Sequence, residues 1–372
     1  MRRPRAGTLD DRRHVRWPLR RPPVPAGGRV RRRQRQHPPG RRVGGGGQHR
    51  AAGQHLPAHA RHAARAVTLV ELVERTAARL ESAAVACGHG TTNAFDEAAW
   101  LVLWRLALPL DALADEAGRP VSDEECGRVE ALVGERIASR RPTAYLTGEA
   151  WLQGVPFHAD ERAIVPRSLL AEPLVEGVLD ALLGDEPADV LDLCTGGGSL
   201  AVLAALAWPR VRVLATDLSA PALALAAENV ARHGLAGRVT LRRGDGLAAL
   251  TAEDRFDLVL CNPPYVNARS MAALPAEYRA EPALALAGGD DGMDFVRTLV
   301  AGVAVHLKPH GALLLEIGHE RRHFEAAFAA LSPLWVSTSA GDDAVLWLTR
   351  EQLAGRSADP VRGTKASPRA PR

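Results

Sequence analysis

Apolar residues recur at two different spacings along this chain, and the change of spacing divides it. Between 67 and 141 they follow a helical period: Leu69, Val70, Leu72, Val73 and Leu80, then a stretch over 98–108, then one over 124–139, with Gly and Pro breaks between. That pattern predicts a small helical domain over 67–141. Trp100 and Trp104, four apart on the second stretch, are expected to share one face and serve the core. Beyond 166 the pattern becomes short apolar runs at 189–193, 211–216, 239–242, 256–261, 312–317, 334–339 and 344–349, with helical stretches at 220–233, 294–306 and 319–331 among them. Strands alternating with helices predict an α/β domain over 166–354 with a seven-stranded, mostly parallel sheet. The last two strands, joined by Ala340-Gly341-Asp342-Asp343, are expected to run antiparallel.

Composition sets limits on this picture. The 372 residues carry a formal charge of +4, yet 1–66 alone hold 18 Arg and 2 Asp, so the remainder carries about −12. This first segment is rich in Arg, Pro, Gly and His and has almost no apolar periodicity, so it cannot bury enough surface to offset chain entropy. It is expected to be disordered, either as translated sequence upstream of a true start near Val67 or as a basic arm able to touch RNA. A short basic tail over 355–372 is expected to be disordered too. Lys308 and Lys365 are the only lysines beside 45 arginines, a bias of GC-rich coding that makes arginine number a poor sign of nucleic-acid binding. Cys87, Cys126, Cys194 and Cys261 lack metal-ligand spacing and fit a reducing, cytoplasmic setting, so no metal is expected. No apolar run approaches the roughly 18 residues of a membrane span.

Candidate chemistry begins at Asn262-Pro263-Pro264-Tyr265. The strand before it must stop, because Pro263 and Pro264 offer no N–H to a ladder, and Asn262 is left at a strand's carboxyl end, where open α/β sheets keep their ligands. An amide or aromatic amino nitrogen is a poor nucleophile because its lone pair is delocalised. The Asn262 side-chain oxygen can accept one of its N–H groups, and a main-chain carbonyl of Pro263 or Pro264 the other. That draws the nitrogen toward tetrahedral geometry while Tyr265 packs on its flat face. Taken alone, the tetrapeptide reads equally as a turn after a strand. Upstream, the run at 189–193 leads into Cys194-Thr195-Gly196-Gly197-Gly198, a loop whose glycines let backbone approach a nucleotide-like ligand at a helix start. Asp217 closes the next strand, twenty-five positions after Asp192, where its carboxylate can accept both hydroxyls of a ribose. Asp245-Gly246 follows the third strand, where a carboxylate can meet an adenine amino group. Each of these alone is as readily a turn or a helix cap.

In their order, glycine loop, Asp, Asp, Asn-Pro-Pro-Tyr, they make the chain resemble the S-adenosylmethionine-dependent methyltransferases of Rossmann-like fold. The resemblance implies S-adenosylmethionine as cofactor, held by Cys194, Thr195, Gly196, Gly197, Gly198, Asp217, Asp245 and Gly246. It also makes Asn262, Pro263, Pro264 and Tyr265 the catalytic residues. Cys194 departs from the class, which often has Gly there; a small thiol fits, and a redox role is not expected of a thiol without a vicinal partner. Over nearly all of 67–355 the chain is similar to one family, the protein-glutamine methyltransferases acting on translation components. Ala144-Tyr145-Leu146-Thr147-Gly148-Glu149-Ala150-Trp151, Asp160-Glu161-Arg162 and Val165-Pro166-Arg167-Ser168 resemble its linker hairpin, here 142–165, and the entry to its catalytic domain. Cys87-Gly88-His89-Gly90-Thr91-Thr92-Asn93 with Asp96-Glu97-Ala98 resembles the amino-terminal signature of its ribosomal-protein branch. Pro166-Arg167-Ser168 and Leu274-Pro275-Ala276-Glu277-Tyr278-Arg279-Ala280-Glu281-Pro282 with Gly288-Gly289-Asp290-Asp291-Gly292 resemble the same branch. The implied reaction is methylation of a glutamine side-chain amide in the third protein of the large ribosomal subunit, free or within an assembly intermediate. Leu152-Gln153 and Leu169-Leu170 depart from the family pattern, both in the linker.

The 266–287 segment is too long for a simple strand-to-helix connection. Anchored by Leu274 and Tyr278, it reads as a substrate-facing wall or as a loop stapled for stability. Arg279 and Glu281 either pin it through ion pairs or meet the partner, and Arg167 is either a structural ion pair or a substrate contact. Asn262, Tyr265, Arg167 and Glu281 are thus the candidate substrate contacts, and His89 is expected as a cap or core residue. Rival readings are the same chemistry on release factors, an adenine-specific nucleic-acid methyltransferase lacking an obvious target-reading domain, and a non-enzymatic ribosome-binding factor working through the basic arm.

Overall fold

The computed structural model describes residues 66–183 and 188–355. The two expected tails lie outside these residues apart from Ala66 and Gly355. The helical domain forms where the periodicity places it, as helices Leu69–Ser82, Ala94–Arg105 and Asp123–Ser139. Local chemistry starts each of them. Thr68 and Glu71 form a reciprocal capping box, Ser122 and Glu125 form another, and the Asn93 side chain accepts the Asp96 N–H. Leu69, Leu72, Val73, Leu80, Leu101, Val129 and Val133 meet in one buried core.

The tryptophan expectation needs correcting. Trp100 is buried at 6% exposure, against Ala144, Tyr145, Ala150 and Val165 of the linker, whereas Trp104 is 37% exposed. Residues four apart on a helix are offset by about 40°, enough to carry the second ring past the edge of the buried stripe.

The linker is a hairpin, β1 (Glu149–Leu152) against β2 (Val155–His158), turned by Gln153 and Gly154 at φ 50° and 75°. Both turn residues have positive φ, which suits the twist of a two-residue hairpin.

The seven-stranded sheet has the order β5-β4-β3-β6-β7-β9-β8. Its strands are β3 (Asp189–Leu193), β4 (Arg212–Asp217), β5 (Val239–Arg243), β6 (Phe256–Cys261), β7 (Leu307–Glu316), β8 (Leu334–Thr338) and β9 (Gly341–Thr349). Five strands are parallel, and β9 runs antiparallel between β7 and β8. Val190, Leu191, Leu258, Val259, Leu260, Leu313 and Leu314 are all fully buried, as a sheet covered on both faces requires. Several boundaries differ from expectation. β7 begins five residues early, at Leu307, because Lys308, Pro309, His310 and Gly311 hide its start from an apolar pattern. β9 already begins at Gly341, so Asp342 and Asp343 extend an exposed end of the ladder instead of turning. The 319–331 stretch is helical only over Arg321–Ala327. Chain order reverses between β3 and β6, and Leu193 pairs with Cys261 across that switch. The loops after Leu193 and Cys261 therefore emerge side by side, where such sheets bind ligands.

Candidate active site

The loop after β3 turns three times into the left-handed region, at Cys194 (φ 63°), Gly196 (φ 55°) and Gly198 (φ 80°). Backbone bonds fix its shape: Thr195 N–H donates to Thr216 O (3.0 Å) and Gly196 N–H to Asp217 Oδ2 (2.9 Å). Asp217 Oδ1 also accepts the Ser219 N–H (2.8 Å), so this one carboxylate ties the loop to the start of helix Ala220–Arg232. A Cβ on Gly198 would lie 3.0 Å from the Cβ of Ala226 and 3.2 Å from its Cα. The glycine is required there for close packing as well as for conformation. Asn229, fully buried, donates to Gly197 O (2.9 Å) and His158 O and accepts the His158 N–H, which locks the hairpin onto the loop.

Cys194 occupies the left-handed conformation for which Gly is suited, which gives the physical reason for the class preference. Replacing it by Gly removes a penalty of about 1–2 kcal/mol, offset in part by lost thiol packing. The expected outcome is a net gain of up to roughly 1 kcal/mol, read as a higher urea midpoint with unchanged slope. A neighbour unforeseen from sequence is Cys261, whose thiol hydrogen-bonds Cys194 and is pushed well up in pKa by burial. Cys194 does have a vicinal partner after all, but a buried protonated thiol is not a nucleophile.

Beneath the loop, Asp192 is fully buried, with Oδ2 accepting Thr195 Oγ1 (2.5 Å) and the Ala201 N–H (2.9 Å). Burial pushes its carboxyl up to about 7, against the pull of those two donors. An acid raised in the folded state binds its proton more tightly there, so its stabilising contribution is complete below about pH 4 and lost as pH rises through about 7. Asp192→Asn, whose amide oxygen can take the place of Oδ2, removes this dependence. Chemical denaturation at pH 5 and pH 8 should find the variant gaining on the native protein by a few kcal/mol, on the order of 2–4, between the two.

A cleft of about 850 Å³, counted to its open mouth, runs along these strand ends. Of the residues singled out in the sequence, Cys194, Gly196, Asp217, Asp245, Gly246, Asn262 and Pro264 line it. Thr195, Gly197, Gly198, Pro263 and Tyr265 are not among its lining residues; the first three act on it through the loop's shape. Arg162, Ile164, Leu218, Leu284 and Phe295, not foreseen as site residues, also line it. Pro282, Leu284 and Ala285 come from the long loop, which folds back over the cleft. Acids at the ends of β4 and β5, beside the Cys194 and Gly196 turn on the cleft wall, fit a nucleoside-bearing cofactor. Asn262 stands at the far side of the same space.

The long loop contains helices Ala268–Ala273 and Ala276–Arg279, and its ends are drawn together by Val266 N–H to Leu286 O and Gly288 N–H to Val266 O (2.8 and 2.9 Å). Two buried carboxylates four residues apart hold it to the rest of the protein. Glu277 meets Arg140 (3.0 Å) and the fully buried Arg136 (3.6 Å), which also pairs with Glu97 (2.8 Å) in the helical domain. Glu281 takes both arms of Arg167 (2.5 and 2.7 Å), the Val165 N–H (2.9 Å) and, at 3.2 Å, Nε2 of buried His89. Burial alone would raise the Glu281 carboxyl; the His89 contact and the Arg167 guanidinium outweigh it and hold the group down at about 2. His89 packs tilted against Tyr278, centroids 4.3 Å apart, and Arg167 lies over the same ring. Of the two readings of Arg167 and Glu281, this geometry supports pinning by ion pairs.

A nucleoside cleft at the sheet's switch point, closed on its far side by Asn262, is what a Rossmann-like S-adenosylmethionine-dependent methyltransferase requires, and that is the class of this protein. A model of the methyltransferase small domain matches residues 175–277. The chain is 53% identical over 289 residues to the ribosomal protein uL3 glutamine methyltransferase of Bordetella pertussis, covering 77% of this chain and 96% of that protein. It is 47% identical over 293 residues to the enzyme of that name from Burkholderia pseudomallei, covering 77% and 95%. Against the one from Bradyrhizobium diazoefficiens it is 43% identical over 295 residues, covering 77% and 92%. The chain belongs to the family of ribosomal protein uL3 glutamine methyltransferases.

Proposed function

We propose that this enzyme methylates the side-chain amide nitrogen of a glutamine in uL3, the third protein of the large ribosomal subunit. The observation that carries the reading is the placement of Asn262 beside the glycine loop, across the β3–β6 switch, in a chain of this family. Release factors share the chemistry but not the family branch. S-adenosylmethionine, when bound, supplies an electrophilic methyl group. Gly196, Asp217, Asp245 and Gly246 line the part of the cleft that would hold its nucleoside.

Asn262 Oδ1 and a carbonyl of Pro263 or Pro264 accept the two amide hydrogens, which withdraws the lone pair from the amide system and aims it along the cleft. Tyr265 limits the plane in which the amide can lie. The surplus proton of the methylated nitrogen is strongly acidic and passes along its hydrogen bond to the accepting carbonyl oxygen, then to solvent as product leaves, so no side-chain base is required. Catalysis is thus positioning and exclusion of water. Because a glutamine must enter the cleft, its segment of uL3 must be accessible, in the free protein or in an assembly intermediate, and the reaction belongs to the cytoplasm. Among the described residues no helix is long and apolar enough to cross a membrane. Fragmentation mass spectrometry of treated uL3 tests the reading: the methyl is expected on a glutamine side chain, and a methyl on lysine, arginine or a terminus would refute it.

A further inference from the structure

Glu316 ends β7, the strand beside β6, and its carboxylate is nearly buried. One oxygen accepts Ser168 Oγ (2.5 Å) and the Leu169 N–H (3.0 Å); the other accepts the hydroxyl of Tyr265 (3.1 Å). The ring it holds has little other freedom. A Cβ on Gly318 would stand 2.6 Å from the Tyr265 ring, and one on Gly288 2.7 Å from the Tyr265 Cα; a Cβ on Gly292 would strike the Tyr265 carbonyl oxygen. Two separate segments therefore give up side chains to let this one residue sit where it does. Tyr265 is the last residue of the acceptor motif, and such over-determination at one residue points to a demand on its orientation.

We propose that Glu316 is a positioning residue for methyl transfer, fixing through the Tyr265 hydroxyl the ring that orients the acceptor amide. The proposal rests on the functional reading above. Among the described residues the carboxylate has three donors and no cation in direct contact. Burial raises its pKa, the donors offset part of this, and burial likewise keeps the Tyr265 hydroxyl protonated as a donor. Its other oxygen carries the linker at Ser168 and Leu169, so the acceptor ring is joined to the segment that enters the catalytic domain. A merely structural carboxylate would serve only that linker.

The test measures kcat and KM with uL3, and S-adenosylhomocysteine affinity by calorimetry, for the native enzyme, Glu316→Gln, Tyr265→Phe, their double variant and Ser168→Ala. Loss of a charge-assisted bond that orients the acceptor is expected to lower kcat about 10–100-fold in Glu316→Gln, with S-adenosylhomocysteine affinity within about twofold. In the Tyr265→Phe background the same substitution is expected to change kcat by less than about threefold, because the hydroxyl through which it acts is gone. Ser168→Ala is expected to keep kcat within about threefold. Should Glu316→Gln not fold, Tyr265→Phe alone reads the same bond, and an unchanged kcat there would overturn the proposal. Full additivity in the double variant, or a Ser168→Ala loss equal to that of Glu316→Gln, would also overturn it. A native enzyme inactive on uL3 would instead bring down the functional reading, and this inference with it.

Discussion

Asn262→Ala is expected to lower kcat on uL3 by about 10²–10³-fold while S-adenosylhomocysteine binds within about twofold of its native affinity. The side chain stands on the cleft wall at the end of β6, separated from the glycine loop's own hydrogen bonds, which are made by Thr195, Gly196 and Asp217. On the proposed reading, its removal takes away one of the two acceptors for the amide hydrogens, and a methyl side chain supplies no substitute. The effect falls on kcat because the bond strengthens as the nitrogen acquires positive charge. Single-turnover kinetics with calorimetry checks both halves. A variant with full activity would mean that the Pro263-Pro264 segment alone orients the acceptor.

The second large effect is on stability. Glu281→Gln leaves Arg167 and His89 facing a neutral amide in a site where the carboxylate side chain has no exposure. Breaking a buried pair on one side costs about 3–5 kcal/mol. A fall of that size in unfolding free energy is expected from urea titration at pH 7. The folded-state pKa of Glu281 lies below its unfolded value, so its contribution is full above about pH 4.5 and lost as pH falls toward about 2. The variant should therefore approach the native protein in stability as the solution is acidified through that window. Because the same bonds pin the loop that folds back over the cleft, kcat/KM for uL3 is expected to fall as well. Equal stability of the two proteins at pH 7 would show that the loop is held by Glu277 and its arginines instead.

The features legible in the sequence were those set by local rules. Short apolar runs marked the strands, helical periodicity broken by Gly and Pro marked the helices, and a Pro pair marked the end of β6. Glycines marked the turn after β3. What escaped notice depends on register between distant segments. Asn229 bridges His158 and Gly197, and no neighbour in the sequence announces it. Glu316 reads as one more residue in a strand until β6 and the linker are laid beside it. Cys261 becomes the neighbour of Cys194 only through the pairing of Leu193 with Cys261. Leu284 reaches the cleft because the long loop folds back, a path fixed by Glu277 and Glu281 against the helical domain and linker, and Phe295 reaches it from the first turn of helix Asp294–Gly302. Each of these signals is a contact made by topology, and no periodicity encodes it.

The most direct measurement is intact-protein mass spectrometry of purified uL3 and, separately, of a release factor, each incubated with S-adenosylmethionine and either the native enzyme or Asn262→Ala. One methyl mass on uL3 with the native enzyme, greatly slowed in the variant, and none on the release factor, is the expected result. Methylation of the release factor in place of uL3, or of uL3 at equal rates by both enzymes, would contradict it.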